Sequence, residues 1–212
     1  MNDAFPGRFI TLEGGEGAGK STQIARLGDW LQKRGHEVVA TREPGGSAGA
    51  EMVRKLLVEG PADRWDGPTE ALLHFAARRD HLRATVWPAL KRGAWVISDR
   101  FADSTTAYQG YGYGVDRDML KRLYKIAVGD FAPDLTLILN LPVEMGLARA
   151  AARRGTETRY ESLPVEFHHR VHAGFLEIAA AEPQRCAVMD AARDIDTLAS
   201  EIARIVGERL KA

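Results

Sequence analysis

Apolar positions along the chain follow two alternating rhythms. Short, nearly continuous apolar runs at Arg8–Glu13 (RFITLE), His36–Thr41 (HEVVAT), Ala94–Asp99 (AWVISD), Asp134–Leu141 (DLTLILNL) and Arg185–Asp190 (RCAVMD) each predict a strand. Between them, apolar residues recur at helical spacing near 19–34, 50–58, 68–92, 116–128, 142–153, 164–181 and 194–210. Strands without a polar face, separated by helices, predict an α/β fold with a parallel sheet covered by helices on both faces. Ligands in such folds collect beyond the carboxyl ends of the strands. Glu13, Arg42 and Asp99 stand at or just past three of these ends, so one shared cleft is expected there. No fixed-period repeat or low-complexity linker divides residues 1–212, which read as a single domain.

Composition narrows the class. At 212 residues, with 45% hydrophobic and 27% charged side chains, the chain is long enough for a two-sided core. Its 29 basic and 29 acidic residues cancel, which argues against general polyanion binding, and no nucleic-acid partner is expected. The single cysteine, Cys186, can form neither an internal disulfide nor a zinc cluster and reads as a buried small hydrophobe in a reducing compartment. The start, MNDAFPGRF, lacks a signal pattern, and no apolar run reaches membrane-span length. A cytoplasmic protein with no membrane partner is the expectation. His168 and His169 lack the carboxylate or cysteine neighbours of a metal cluster and read as surface residues.

The first strand runs into GGEGAGKS, Gly14 to Ser21, which fits G-x-x-x-x-G-K-[ST] with a strand before and a helix after. Glycines permit the backbone path that turns successive N–H groups inward on a phosphate. Lys20 reaches the β- and γ-phosphates, Ser21 offers a hydroxyl to Mg2+, and the following helix adds its positive end. The third predicted strand ends in Asp99, a candidate for the magnesium shell, although an aspartate there also caps helices. Arg100 adds a two-pronged donor at the same edge.

The cradle does not name a reaction, because motors, switches and small-molecule kinases share it. The chain has no Asn-Lys-x-Asp guanine-reading element, and it is short and neutral for a nucleic-acid motor. A compact kinase with a second, acceptor site remains. In EALLHFAARRDHL, Phe75 and Arg79 are spaced i, i+4 and share one helical face, an arrangement able to stack on a base and bond its carbonyl edge. Core packing for Phe75 and a solvated surface for Arg79 are the plainer alternatives. DRFADSTTAYQGYGYG, 99–114, reads as a polar loop beyond a strand end, a common place for function. In RAAARRGTETRYES, Arg149 and Arg153 lie one turn apart at a helix end, Gly155 stops the helix, and TETRYES reads as a polar flap.

The segments FITLEGGEGAGKST, TREPGG, LLHFAARR, ISDRFADSTTAYQG, GDFAPDLTLIL and RAAARRGTETRYE together resemble bacterial thymidylate kinases of the nucleoside-monophosphate kinase group, in the family's order from about Phe9 to Asp190. The resemblance implies a P-loop NTPase fold with a five-stranded parallel sheet, a mobile lid at about 149–162, and usually a homodimer. It implies transfer of the ATP γ-phosphoryl to dTMP with Mg2+. A kinase for another nucleoside monophosphate or a deoxynucleoside, or a P-loop nucleotide switch, are the alternatives. Carried over by position, the resemblance has Gly14, Gly15, Glu16, Gly17, Ala18, Gly19, Lys20, Ser21 and Thr22 hold the donor, with Ser21 and Asp99 on the metal. Phe75 stacks on thymine, Arg79 bonds its O4 edge, and Arg54 and Arg100 hold the acceptor phosphate. Ser104, Thr105, Tyr108 and Gln109 line the base and sugar pocket, Glu16 lies near the sugar, and Tyr160 crowds the 2′ side. Glu43-Pro44 resembles the family's strand-end turn, where the peptide can be cis. The cradle holds Glu16 but no arginine, so Arg153, with Arg149, Arg154 and Arg159, is expected to bring charge from the lid, at least one of the four remaining solvated. Arg78 stands where many relatives have Asp, Phe101 where Tyr or His is frequent, and Thr105 where Ser or Asn is frequent.

Overall fold

The computed structural model describes residues 5–61, 63–152 and 159–212. All five predicted strands form: β1 (Arg8–Glu13), β2 (Val38–Arg42), β3 (Trp95–Asp99), β4 (Leu135–Asn140) and β5 (Cys186–Asp190). They make one parallel sheet in the order β2-β3-β1-β4-β5. Helices α1 (Lys20–Gln32), α2 (Ala48–Val58), α3 (Gly67–His81), α4 (Trp87–Lys91), α5 (Ala102–Thr105), α6 (Arg117–Ala127), α7 (Val143–Ala151), α8 (Val165–Ala181) and α9 (Ile195–Leu210) connect them.

Strand alternation sorts each side chain to one of two cores. Ile10 and Leu12 of β1 join Leu27 and Leu31 of α1 and Leu198, Ile202 and Val206 of α9 on one face. Phe9 points to the other face, where it packs with Phe101, Phe131, Val96 and Phe75 of α3. Next to that cluster, Ile138 and Cys186 meet Phe167, Val171 and Phe175 of α8. Cys186 is buried and free, and burial pushes its thiol up to about 12, which fits the packing role expected of it. The buried hydroxyls Thr11 and Thr136 face each other across β1 and β4 at 2.8 Å, so neither is left unpaired inside the sheet.

The helix expected over 68–92 is helical throughout but not uniform. Leu82–Val86 is wound as π-helix between α3 and α4. Pro88 stands two residues beyond Val86 and has no N–H to return to the preceding turn, so the winding loosens there. The loop expected over 99–114 is instead α5 continued by a π-helical segment, Thr106–Gly112. Burial against α8 explains the difference. A Cβ at Gly112 would stand 2.5 Å from the Phe167 ring, so the glycines that suggested a surface loop serve close helix packing.

Register brings the functional ends together. Leu12 and Arg42 both pair with Asp99 across adjacent strands, so β1, β2 and β3 end at one level of the sheet. The peptide Glu43-Pro44, just beyond β2, is cis, the form the resemblance allowed.

Candidate functional site

Beyond Glu13 the backbone turns through Gly14–Gly19 into α1. Two independent constraints require glycine at position 17: φ is +66°, and a Cβ would lie 2.1 Å from the Gly146 carbonyl of α7. The cradle therefore rests directly on the helix that leads toward the expected lid. Lys20 Nζ donates to the Gly14 and Gly15 carbonyls at 3.1 and 2.8 Å. Burial, then the neighbouring Arg100, holds its ammonium pKa down at about 8. An incoming phosphate would favour the charged form of such a group.

Ser21 Oγ donates to Asp99 Oδ2 at 3.1 Å, joining the start of α1 to the end of β3. Among the described residues no group of three or more His, Cys, Asp or Glu could hold a metal alone. A hydroxyl and a carboxylate side by side fit magnesium, which keeps waters and takes its remaining oxygens from phosphates.

Arg100 occupies the left-handed region, φ 70°, unusual for a side-chain-bearing residue. Its N–H donates to Leu12 O at 3.0 Å, and its carbonyl accepts from Ser98 Oγ at 2.8 Å, so both sides of the peptide are fixed. This conformation turns the guanidinium onto Gly14 O (3.0 Å), Ser104 Oγ (3.1 Å), Glu16 Oε1 (2.9 Å) and Tyr108 Oη (3.1 Å). Tyr108 also donates to Glu16 at 2.7 Å. Burial opposes the Glu16 charge, but Arg100, then Lys20 and the Tyr108 hydrogen bond, outweigh it and hold the carboxyl at about 2. Beneath them, fully buried Glu13 accepts from Phe101 N–H (2.7 Å) and Ser104 Oγ (2.5 Å). Burial, then Asp103, pushes Glu13 up to about 8. Glu13, expected at the cleft, instead braces the chain beyond β3.

A cleft of about 500 Å³ opens between the cradle and α3. Glu16 to Ser21, Asp99 and Arg100 line one end. Pro44, Arg54, His74, Ser104, Tyr108, Gln109 and Tyr160 line the other. Arg54 Nη1 also donates to Pro44 O at 2.6 Å. A second hollow on the far side of the cradle involves Thr22, Arg149 and residues 191–196. Arg149 there donates to Ala191 O at 3.3 Å.

Several expected residues lie elsewhere. Phe75 is in the core, its ring edge-on to Tyr124 at 6.4 Å, and it does not line the cleft. Arg79 is exposed, donates to Ala127 O at 3.3 Å and lies over the Trp87 ring. The cleft wall is reached one residue earlier, by His74, and Arg78 lies behind it. Arg78 is buried, held by Glu43 through Nε (2.7 Å) and by Thr105 through Nη2 (3.1 Å). Its Nη1 and Gln109 Oε1 are buried with no hydrogen-bond partner among the described residues. Thr105 thus supports Arg78 and is not a wall residue.

Arg159 also departs from expectation. It is buried, pairs with Glu70 at 2.5 Å, and donates to the Leu57 and Pro61 carbonyls, so it is committed away from the cradle. TETRYES is therefore not wholly a polar flap. Tyr160 lines the cleft and meets His74 Nε2 at 3.1 Å. Burial, then Arg78, Arg100 and Arg159, pushes the His74 imidazole down to about 3, so it is neutral near pH 7. Arg153 and Arg154 lie outside the described residues. His169 is at the surface, 3.0 Å from Glu144, but His168 is buried beside Phe167.

The cradle, the Ser21–Asp99 pair and a cleft that continues from the cradle past Arg100 to Tyr108 and Tyr160 define a P-loop phosphotransferase. The thymidylate kinase family profile matches residues 12–202. A thymidylate kinase of Caulobacter vibrioides is 54% identical over 204 residues, covering 96% of this chain and 98% of that protein. One from Jannaschia sp. is 51% identical, covering 97% and 99%. The crystal structure of a thymidylate kinase from Ehrlichia chaffeensis superposes with a TM-score of 0.77 at 34% identity, covering 94% of this chain and 98% of that one. The chain belongs to the thymidylate kinase family.

Proposed function

We propose that this chain transfers the γ-phosphoryl group of ATP to dTMP, giving dTDP and ADP. The donor phosphates sit in the Gly14–Ser21 cradle, with Lys20 over the β- and γ-phosphates. The donor base lies toward the hollow bounded by Thr22 and Arg149. Ser21 and Asp99 would hold Mg2+, which would supply positive charge against the negative charge that develops on the phosphates. The acceptor phosphate takes the Arg100 and Arg54 guanidiniums. Glu16 and Tyr108, which pair with Arg100, then orient it beside the sugar. Tyr160 stands on the sugar's 2′ side.

The observation that carries the reading is a complementary pair of buried groups. Gln109 Oε1, on the cleft wall, is an acceptor and Arg78 Nη1, behind that wall, a donor, and neither has a partner among the described residues. Thymine offers a carbonyl O4 and an adjacent N3–H, the matching pattern. Buried groups of this kind are costly unless satisfied, so the base that satisfies both is favoured. His74 supplies the flat wall that the sequence assigned to Phe75.

The chemistry needs no general base, because the acceptor is already an anion. The task is to align two repelling phosphates and neutralise them with water excluded. Lys20 and Arg100 supply charge within the cleft, and Arg153 is assigned to the lid side, where its replacement by alanine should lower kcat.

A homodimer is part of the proposal. Met52 (73% exposed), Leu72 (52%) and Ile126 (80%) lie on α2, α3 and α6, which pack in series. A partner copy would cover them.

Mixing protein, ATP and Mg2+ with each deoxynucleoside monophosphate and deoxynucleoside tests the assignment. ADP should form with dTMP at a kcat/KM well above that for the others. ADP release that ignores the acceptor, or a preference for another base, would overturn it.

A further inference from the structure

Glu70 is not on the cleft wall, yet it touches two residues that are, Gln109 and Tyr160. Its carboxylate is fully buried near the start of α3. Oε1 receives Arg159 Nη2 at 2.5 Å, while Oε2 receives Gln109 Nε2 at 2.9 Å and the Tyr160 hydroxyl at 3.0 Å. Three donors from two distant segments thus converge on one acceptor-only group.

That convergence has a chemical consequence. The two ends of a glutamine amide have nearly the same shape, so which end faces a ligand is decided by hydrogen-bond partners. A carboxylate can only accept, so the Gln109 NH2 is committed to Glu70. The amide oxygen is then the end left over, and it is the buried atom without a partner. The same logic acts on Tyr160. Its proton goes to Glu70, which leaves its oxygen to accept from His74 Nε2 at 3.1 Å.

We propose that Glu70 is a specificity-positioning residue that fixes the polarity of Gln109, so that the acceptor pocket presents a hydrogen-bond acceptor to the ring N3 of a pyrimidine. A 4-keto pyrimidine carries a proton on N3 and is admitted. A 4-amino pyrimidine has a bare lone pair there, and two buried acceptors would face each other. Glutamine at position 70 could donate as well as accept, and the Gln109 amide could then turn over. The inference rests on the dTMP reading above.

The discriminating probe is 5-methyl-dCMP, which differs from dTMP only along the N3–C4 edge of the base. The quantity read is its kcat/KM divided by that for dTMP. In Glu70→Gln the ratio should rise at least about tenfold, the size of one misoriented hydrogen bond released. A merely structural role would lower both substrates together and leave the ratio in place. In a Gln109→Ala background there is no amide to orient, so Glu70→Gln should not move the ratio. Should Glu70→Gln fail to fold because Arg159 is left unpaired, Glu70→Gln with Arg159→Met removes the buried charge pair together and carries the same expectation. An unchanged ratio, or an equal change in the Gln109→Ala background, overturns the proposal. If the unmodified protein makes no ADP with dTMP, the dTMP reading falls as well. Activity on dTMP with an unmoved ratio in Glu70→Gln sinks the Glu70 inference alone.

Discussion

Phe75 and His74 are neighbours on α3, and replacing each by alanine should damage different properties. Phe75 is 5% exposed, packs edge-on against Tyr124, and lies 4.9 Å beneath the Arg78 guanidinium. Truncating such a ring removes its transfer free energy and leaves a cavity, together about 3–5 kcal/mol. For a protein of this size about 1 kcal/mol lowers Tm by about 2–4 °C. Phe75→Ala should therefore melt roughly 6–20 °C lower, while the KM for dTMP at 20 °C changes little in the protein that remains folded. His74 lines the cleft and is only partly buried, so its loss should cost little stability. If it is the wall on which the base lies, its loss forfeits about 1–3 kcal/mol of stacking. That corresponds to a KM increase of roughly five- to hundredfold. Thermal melts by circular dichroism, paired with dTMP titrations in a coupled ADP assay, measure both quantities. A Phe75→Ala protein that keeps its Tm within about 2 °C while its KM rises tenfold would refute the reasoning. So would a His74→Ala protein that loses Tm and keeps KM.

Two further outcomes are expected. Burial and Arg100 hold the Lys20 ammonium down at about 8, and phosphates bound beside it favour its charged form, so nucleotide binding above pH 8 should take up protons. ADP affinity should then fall by up to about tenfold per pH unit above that point, and calorimetry in two buffers of different ionisation enthalpy would reveal the uptake; heats independent of buffer contradict it. Ile126→Asp puts a charge on the most exposed apolar side chain of the proposed dimer face, and sedimentation should show monomers; an unchanged dimer would place the interface elsewhere.

The strands and the cradle were legible because their signals are local. Five apolar runs needed no partner to be recognised, and each formed within two residues of its expected bounds. The glycines and Lys20 occupy a motif whose spacing is itself the geometry. Helix α3 was harder. Phe75 and Arg79 share a face, but so do His74 and Arg78, and i, i+4 spacing cannot say which pair meets the ligand. One signal was present: Ala71, Phe75, Leu82 and Val86 form a stripe at helical spacing, which assigns Phe75 to the core. Arg159 offered no comparable cue, since its partner Glu70 is 89 positions away.

The sequence by itself determined the sheet, the cradle and the strand-end residues Asp99 and Arg100, because each depends on neighbours a few positions apart. Tertiary structure alone decided that Arg159 is sealed against Glu70. It also decided that Gln109 keeps its oxygen free. Those outcomes follow from burial, where a charge or an amide must find partners from whatever distant segment is packed against it.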